Sequence, residues 1–253
     1  QAEPAQENSR LLEVKELHKS FVSSEGDVKP VLEEISFAAR HGELLCLLGR
    51  SGCGKTTLLN LLAGFIRPDR GEIVLGGQRV RGPGPERCVV FQQDALFPWL
   101  TVRENIAFGL KGRRPGRAVL TRETDRLLDL VGLRDYASYL PAEISGGMKQ
   151  RVALARVLIL QPQVLLMDEP FAALDAQTRD EMQALLLELW QQLQHTILFV
   201  THDVGEAVLL ADRILLFDRT GKIGEDLAVD LPRPRRRESH ELIACCERIR
   251  GRI

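Results

Sequence analysis

The sequence predicts an α/β fold, a doubly wound core with strands and turns near its beginning and a helical insertion. Three observations carry this. Gly49-Arg50-Ser51-Gly52-Cys53-Gly54-Lys55-Thr56 fits the phosphate-loop pattern and lies between an apolar strand and an apolar helix. From Val164 onward, strand-like and helical segments alternate as in a doubly wound fold. Between them, from Leu96 to Leu160, the apolar period is helical.

Taken in order, Gln1 to Arg10 is polar and proline-containing and reads as a flexible leader. Leu12–Lys15, Ile35–Ala38 and Glu72–Leu75 read as strands, the last followed by the turn signal Gly76-Gly77. Glu43–Leu48 reads as a buried strand and Thr57–Ala63 as a helix stopped by Gly64. Lys111–Arg117 is rich in arginine and glycine and reads as an exposed loop. A capping start is expected at Thr121-Arg-Glu, with Gly132 ending that helix. The expected organisation is one domain over 11–227, with its helical part at about 96–160, and a short arginine-rich tail over 228–253. The run Arg233-Pro-Arg-Arg-Arg237 reads as a solvated charged face, with lipid headgroups as the other reading, and an amphipathic helix follows it.

The phosphate loop implies a nucleotide triphosphate. Its glycines let backbone N–H groups converge on phosphate, Lys55 can reach the β and γ oxygens, and the Thr56 hydroxyl is placed for Mg²⁺. Gly49 to Thr57 are therefore the expected nucleotide-binding residues. A buried strand ending in two acids, Val164-Leu-Leu-Met-Asp168-Glu169, supplies the complement. Asp168 is expected in the Mg²⁺ shell, and Glu169 to orient or deprotonate the attacking water.

Ile144-Ser145-Gly146-Gly147-Met148-Lys-Gln-Arg151, opening a helical run, resembles the signature of ATP-binding-cassette (ABC) proteins. It departs from the usual L-S-G-G-Q at Ile144, a packing change, and at Met148, which removes a side-chain hydrogen bonder. The resemblance implies a RecA-like phosphate-loop core with an antiparallel β subdomain and a helical signature subdomain. It also implies a dimer of two copies in which Ser145, Gly146, Gly147 and Met148 act on the partner's nucleotide. Other markers follow in family order along nearly the whole chain. Phe21 matches the aromatic that stacks on adenine, and Gln92 the glutamine that senses Mg²⁺ and water, with Gln93 as its rival. Asp175 in Ala-Leu-Asp matches the loop at the dimer interface, and His202 the switch histidine on the γ-phosphate.

Composition bounds the alternatives. The chain has 253 residues, 44% of them hydrophobic, and no uninterrupted apolar run of the roughly 20 residues needed to span a bilayer. A formal net charge of -1 gives no global basic field for nucleic acid. The five cysteines match no zinc or disulfide framework, so Cys245-Cys246 reads as an ordinary helical pair. After Gln92, the segment Leu96-Phe-Pro-Trp99-Leu-Thr-Val-Arg-Glu-Asn105-Ile groups large apolar residues in a loop, a candidate socket for a partner helix. This wording, with Gly82-Pro-Gly-Pro-Glu-Arg87, resembles the ATPases of bacterial importers for taurine, alkanesulfonates, nitrate and bicarbonate, most of all the taurine branch. That implies ATP and Mg²⁺ as cofactors, two separate transmembrane permease subunits, a solute-binding protein and a place on the cytoplasmic face of the inner membrane. Export or work on nucleic acid are the alternatives within the fold.

Overall fold

A computed structural model of the chain describes residues 10–23, 26–92 and 95–252. Most of the expected leader, together with Gln93, lies outside the described residues. Arg10, placed in that leader by the sequence, already belongs to a strand. The elements run β1 (Arg10–Val22), β2 (Val28–Arg40), β3 (Leu44–Leu48), α1 (Lys55–Ala63), β4 (Arg70–Leu75), β5 (Gln78–Arg79), β6 (Arg87–Val90), α2 (Val102–Phe108), α3 (Arg117–Leu130) and α4 (Gly146–Leu158). They continue with β7 (Val164–Asp168), α5 (Ala176–Leu193), β8 (Thr196–Thr201), α6 (Val204–Leu210), β9 (Arg213–Phe217), β10 (Ile223–Ala228) and α7 (His240–Arg250). Two compact units result, one holding the chain to Gly84 together with Gln194 onward, the other Pro85–Leu193.

The first unit is built around β3. Parallel neighbours flank it on both edges, with Leu48 opposite Thr201 of β8 and opposite Leu216 of β9, while β10 runs antiparallel to β9. Every side chain of β3 is buried, which is why Leu44–Leu48 is an unbroken apolar run rather than an alternating one. α1 buries Leu58, Leu59, Leu61 and Leu62, and Gly64 ends it in the left-handed conformation at φ 80°. A second, antiparallel sheet has the order β2-β1-β4-β5. It contains the three strands expected from the sequence, and Gly76 and Gly77 make the turn between β4 and β5 with φ of 54° and 76°.

The tail departs from the solvated face expected of it. Arg235 donates through Nη1 to the carbonyls of Val208 (2.7 Å) and Ala211 (2.6 Å), through Nη2 to Val229 (3.1 Å) and through Nε to Leu231 (3.1 Å). Arg233 binds the Asp212 carboxylate and the Leu210 carbonyl. These guanidiniums satisfy carbonyls left over at the C-terminal end of α6. Burial lowers the Arg235 pKa to about 10, which still leaves it charged at neutral pH. α7 starts where Ser239 Oγ accepts from the Leu242 amide at 3.3 Å, and it buries Leu242, Cys245, Cys246 and Ile249 beside α6. Both cysteines are free thiols, and no cluster able to hold a metal occurs among the described residues. Replacing Arg235 with methionine should destabilise the protein by about 1–3 kcal/mol, because the freed carbonyls stay partly buried; an unchanged urea midpoint would remove this role.

In the second unit β6 pairs in parallel with β7, Val90 opposite Met167. The helices α2, α3 and α5 all pack on α4. α3 starts at Arg117 behind Gly116, not at Thr121, whose cap-like signal falls inside the helix. Pro115-Gly116 stops the preceding chain, so the helix can begin as soon as that constraint ends. Gly132 follows the helix with φ 68°, as expected. The unit takes in β6, β7 and α5 besides the helical stretch read at about 96–160.

Candidate nucleotide site

The phosphate loop is the link between β3 and α1. Gly52 and Gly54 have φ of 83° and 97°, a region that side chains with a Cβ rarely adopt. At Gly54 there is also no room, since a Cβ would lie 2.7 Å from Leu32 Cδ2 and 2.9 Å from the Val31 carbonyl. Gly52 faces open space. Lys55 is 4% exposed, and its ammonium donates to the Gly49 (2.7 Å) and Arg50 (2.8 Å) carbonyls, with Cys53 Sγ at 3.7 Å. A buried cation thus closes the loop on itself, while Arg50, Ser51, Gly52 and Thr56 are exposed and Thr57 is half-buried. Such a loop opening a helix is an anion cradle.

His202 belongs to the same unit and the same edge. It follows Thr201, the partner of Leu48, so the loop and the histidine leave the C-terminal ends of adjacent parallel strands, where open α/β sheets bind ligands. His202 is exposed. Its turn is shaped by the Asp203 amide donating to Thr201 Oγ1 at 3.0 Å and by Asp203 capping α6 through the Glu206 amide at 2.8 Å. Phe21, at the end of β1, is 44% exposed, with Lys19 Nζ 5.4 Å from its ring. Its face is therefore not spent in the core.

The second unit carries the remaining candidates. Gln92 and the pair Asp168-Glu169 leave the C-terminal ends of β6 and β7, which are paired neighbours. Both acids are half-buried. Glu169 has φ 44°, a conformation that costs a non-glycine residue about 1–3 kcal/mol and concentrates at functional sites. The Gln92 carbonyl accepts from Gln150 Nε2 of α4 at 3.2 Å, a link that sequence reasoning missed. Gln150 is buried and lies just past the signature motif, so its side chain had no surface role to signal.

Ser145 caps α4 by accepting from the Met148 amide at 3.3 Å. The amides of Gly146 and Gly147 remain as first-turn donors without an intrahelical acceptor. Gly146 has nothing within 4 Å of a hypothetical Cβ, whereas Gly147 packs against Thr178, whose Cγ2 would be 2.5 Å from such an atom. Thr178 is in turn held by Asp175, which accepts from its amide (3.0 Å) and its hydroxyl (2.7 Å). These bonds hold the Asp175 carboxyl below its ordinary pKa. Signature and Asp175 loop are thereby one packed corner of the second unit.

The aromatic loop also belongs to this unit. Asn105, fully buried, accepts from the Phe97 amide and donates to the carbonyls of Phe97, Leu100 and Thr101. Thr101 and Glu104 form a reciprocal cap on α2. Held in this way, Phe97 stacks 4.4 Å from Phe108 and 5.7 Å from Trp99, and Trp99 stands 71% exposed. Asn105 was missed because a polar residue inside a helical pattern reads as surface.

The protein-family model described as ABC transporter matches residues 32–172. The chain belongs to the ABC transporter family. Curated relatives of this ABC protein include the taurine import ATP-binding protein of Roseobacter denitrificans, 48% identical over 85% of the chain and 81% of the relative. The nitrate import ATP-binding protein of Synechocystis is 48% identical over 87% of the chain and 83% of the relative. Among solved structures, cbiO1 of Clostridium perfringens, part of an ABC transporter complex, superposes with TM-score 0.82 at 27% identity over 96% of the chain and 94% of its own. A dimeric ATP-binding cassette with ADP and Pi bound superposes with TM-score 0.75 at 26% identity, over 88% of the chain and 100% of its own. This chain is accordingly an ABC ATPase, hydrolysing ATP to ADP and phosphate in the service of transport.

Proposed function

We propose that this ABC ATPase powers import of a small anionic or zwitterionic solute, taurine or a related sulfonate, through two separate transmembrane subunits served by a solute-binding protein. The observation that carries the reading is identity near one half, along more than four fifths of the chain, to proteins named for taurine and for nitrate import. Nitrate is therefore the second candidate cargo. No helix among the described residues is long and apolar enough to cross a membrane, and in this reading the conduit comes from other chains. In this reading the exposed Trp99 loop is the apolar surface that receives a helix of such a subunit. The ATPase then works at the cytoplasmic face of the membrane.

In the working cycle two copies pair, and the amides of Gly146 and Gly147, with Ser145 and Met148 beside them, meet the phosphates held by the partner's loop. Lys55 neutralises charge on the β and γ phosphates, Phe21 stacks on adenine, Glu169 accepts the proton of the attacking water, and His202 holds the γ-phosphate in line. Asp175 holds the loop at the pair's interface. The Thr56 hydroxyl, the Asp168 carboxylate and the Gln92 side-chain carbonyl are hard oxygen donors of the kind that would hold Mg²⁺. Mg²⁺ held there would supply positive charge that offsets the charge of the phosphates.

The test is co-purification of the tagged chain from membranes with its partners, followed by ATPase assay in vesicles with the binding protein and a panel of taurine, alkanesulfonates, nitrate and bicarbonate. Stimulation by one solute names the cargo. Capture of ribosomes or nucleic acid with no membrane subunit overturns the transport reading.

A further inference from the structure

The first unit carries a concavity at the end of α1 opposite the phosphate loop. Its volume is about 560 Å³, and Arg67, Arg70, Arg79 and Arg81 line it together with Asp69 and Glu72. The two acids are already answered. Asp69 accepts from Lys19 Nζ at 2.8 Å and from the Ser20 amide at 2.7 Å, and the hydrogen bond from Lys19 holds its pKa down. Glu72 lies 3.8 Å from Arg79 Nε and 3.9 Å from Lys15 Nζ. By contrast, the guanidiniums of Arg67, Arg70 and Arg81 form no hydrogen bond or ion pair with any described residue.

The frame that holds them is rigid. A Cβ at Gly64 would strike the Gly82 backbone, and one at Gly71 would strike the carbonyls of Lys15 and Glu16. The Asp69 amide donates to the His18 carbonyl at 3.0 Å, and the Val80 amide to Ile73 at 2.8 Å. The loop with Arg67, the start of β4 with Arg70 and the segment with Arg81 are therefore fixed against their neighbours. Like charges held together on one concave surface repel each other, and an anion seated among them relieves that repulsion. Guanidinium forks match phosphate oxygens in pairs, and the volume lies in the range of about 300–1,000 Å³ typical of small-molecule pockets.

We infer that this arginine-lined cavity binds a ligand through a phosphoryl group, at a site separate from the ATP site. The phosphoryl group comes from a soluble phosphorylated compound or from an anionic phospholipid headgroup. Neither Lys55, Glu169 nor the signature corner takes part, so the cavity can be tested with the ATP site filled.

The full chain, saturated with a non-hydrolysable ATP analogue, is titrated with pyrophosphate by calorimetry and floated with phosphatidylcholine vesicles with or without phosphatidylglycerol. Pyrophosphate affinity is expected to fall about tenfold in Arg67→Gln and in Arg81→Gln, and about a hundredfold in the double variant. Arg122→Gln, an exposed arginine of the other unit, should change nothing. Flotation that needs phosphatidylglycerol and is lost in the double variant identifies a headgroup; pyrophosphate binding without flotation identifies a soluble ligand. If neither probe binds, or if both bind the double variant as well as wild type at an unchanged melting temperature, the inference is overturned.

Discussion

Glu169→Gln leaves ATP bound and lowers kcat by about 10²–10⁴, the span that a positioned general base contributes. Glutamine keeps the shape and can keep the positive φ of residue 169, so the loss falls on chemistry and not on folding. It cannot take a proton from water. The expected signature is a split between measurements: nucleotide affinity near that of wild type, turnover almost gone, and an ATP-dependent dimer that persists on gel filtration. A variant that hydrolyses ATP at the wild-type rate would falsify the role given to Glu169. One that loses ATP affinity as well would point to a positioning role instead.

Lys55→Met moves both quantities. Methionine preserves most of the buried stem but removes the ammonium that donates to the Gly49 and Arg50 carbonyls and that is assigned to the phosphates. A hydrogen bond to a charged group contributes about 1.5–3 kcal/mol, so ATP should bind about ten- to a hundredfold more weakly. Turnover should fall further, because charge builds on the phosphoryl oxygens as the bond breaks. Fluorescent-nucleotide titration together with a phosphate-release assay measures both. Wild-type affinity in this variant would mean that Lys55 only braces the loop.

Much of the site was legible because its signals are local. A phosphate loop declares itself through glycines at fixed spacing between an apolar strand and an apolar helix, and Gly52 and Gly54 do take the conformations that only glycine adopts freely. The strand ends carrying Gln92, Asp168 and His202 were legible for the same reason, as apolar runs ending in a polar residue. What escaped depends on partners far along the chain. Arg235 looks like one charge in a basic run until the carbonyls of α6 and of the chain after β10 are placed around it. Asn105 and Gln150 look like surface residues, yet each is buried because it holds the backbone of a loop. Thr121 shows the opposite error, a strong local cap signal overruled by the earlier chain break at Pro115-Gly116.

The hold that Arg233 and Arg235 have on α6 sets an order on synthesis. The helix that follows His202 leaves the ribosome well before the residues that finish its C-terminal end, and domains fold as their chain emerges. Until the tail is out, the carbonyls of Val208 and Ala211 must rely on water or on transient neighbours. A chain cut short before Arg235 would keep every nucleotide motif yet leave this corner open, making it a preferred target for proteases that discard unfinished copies.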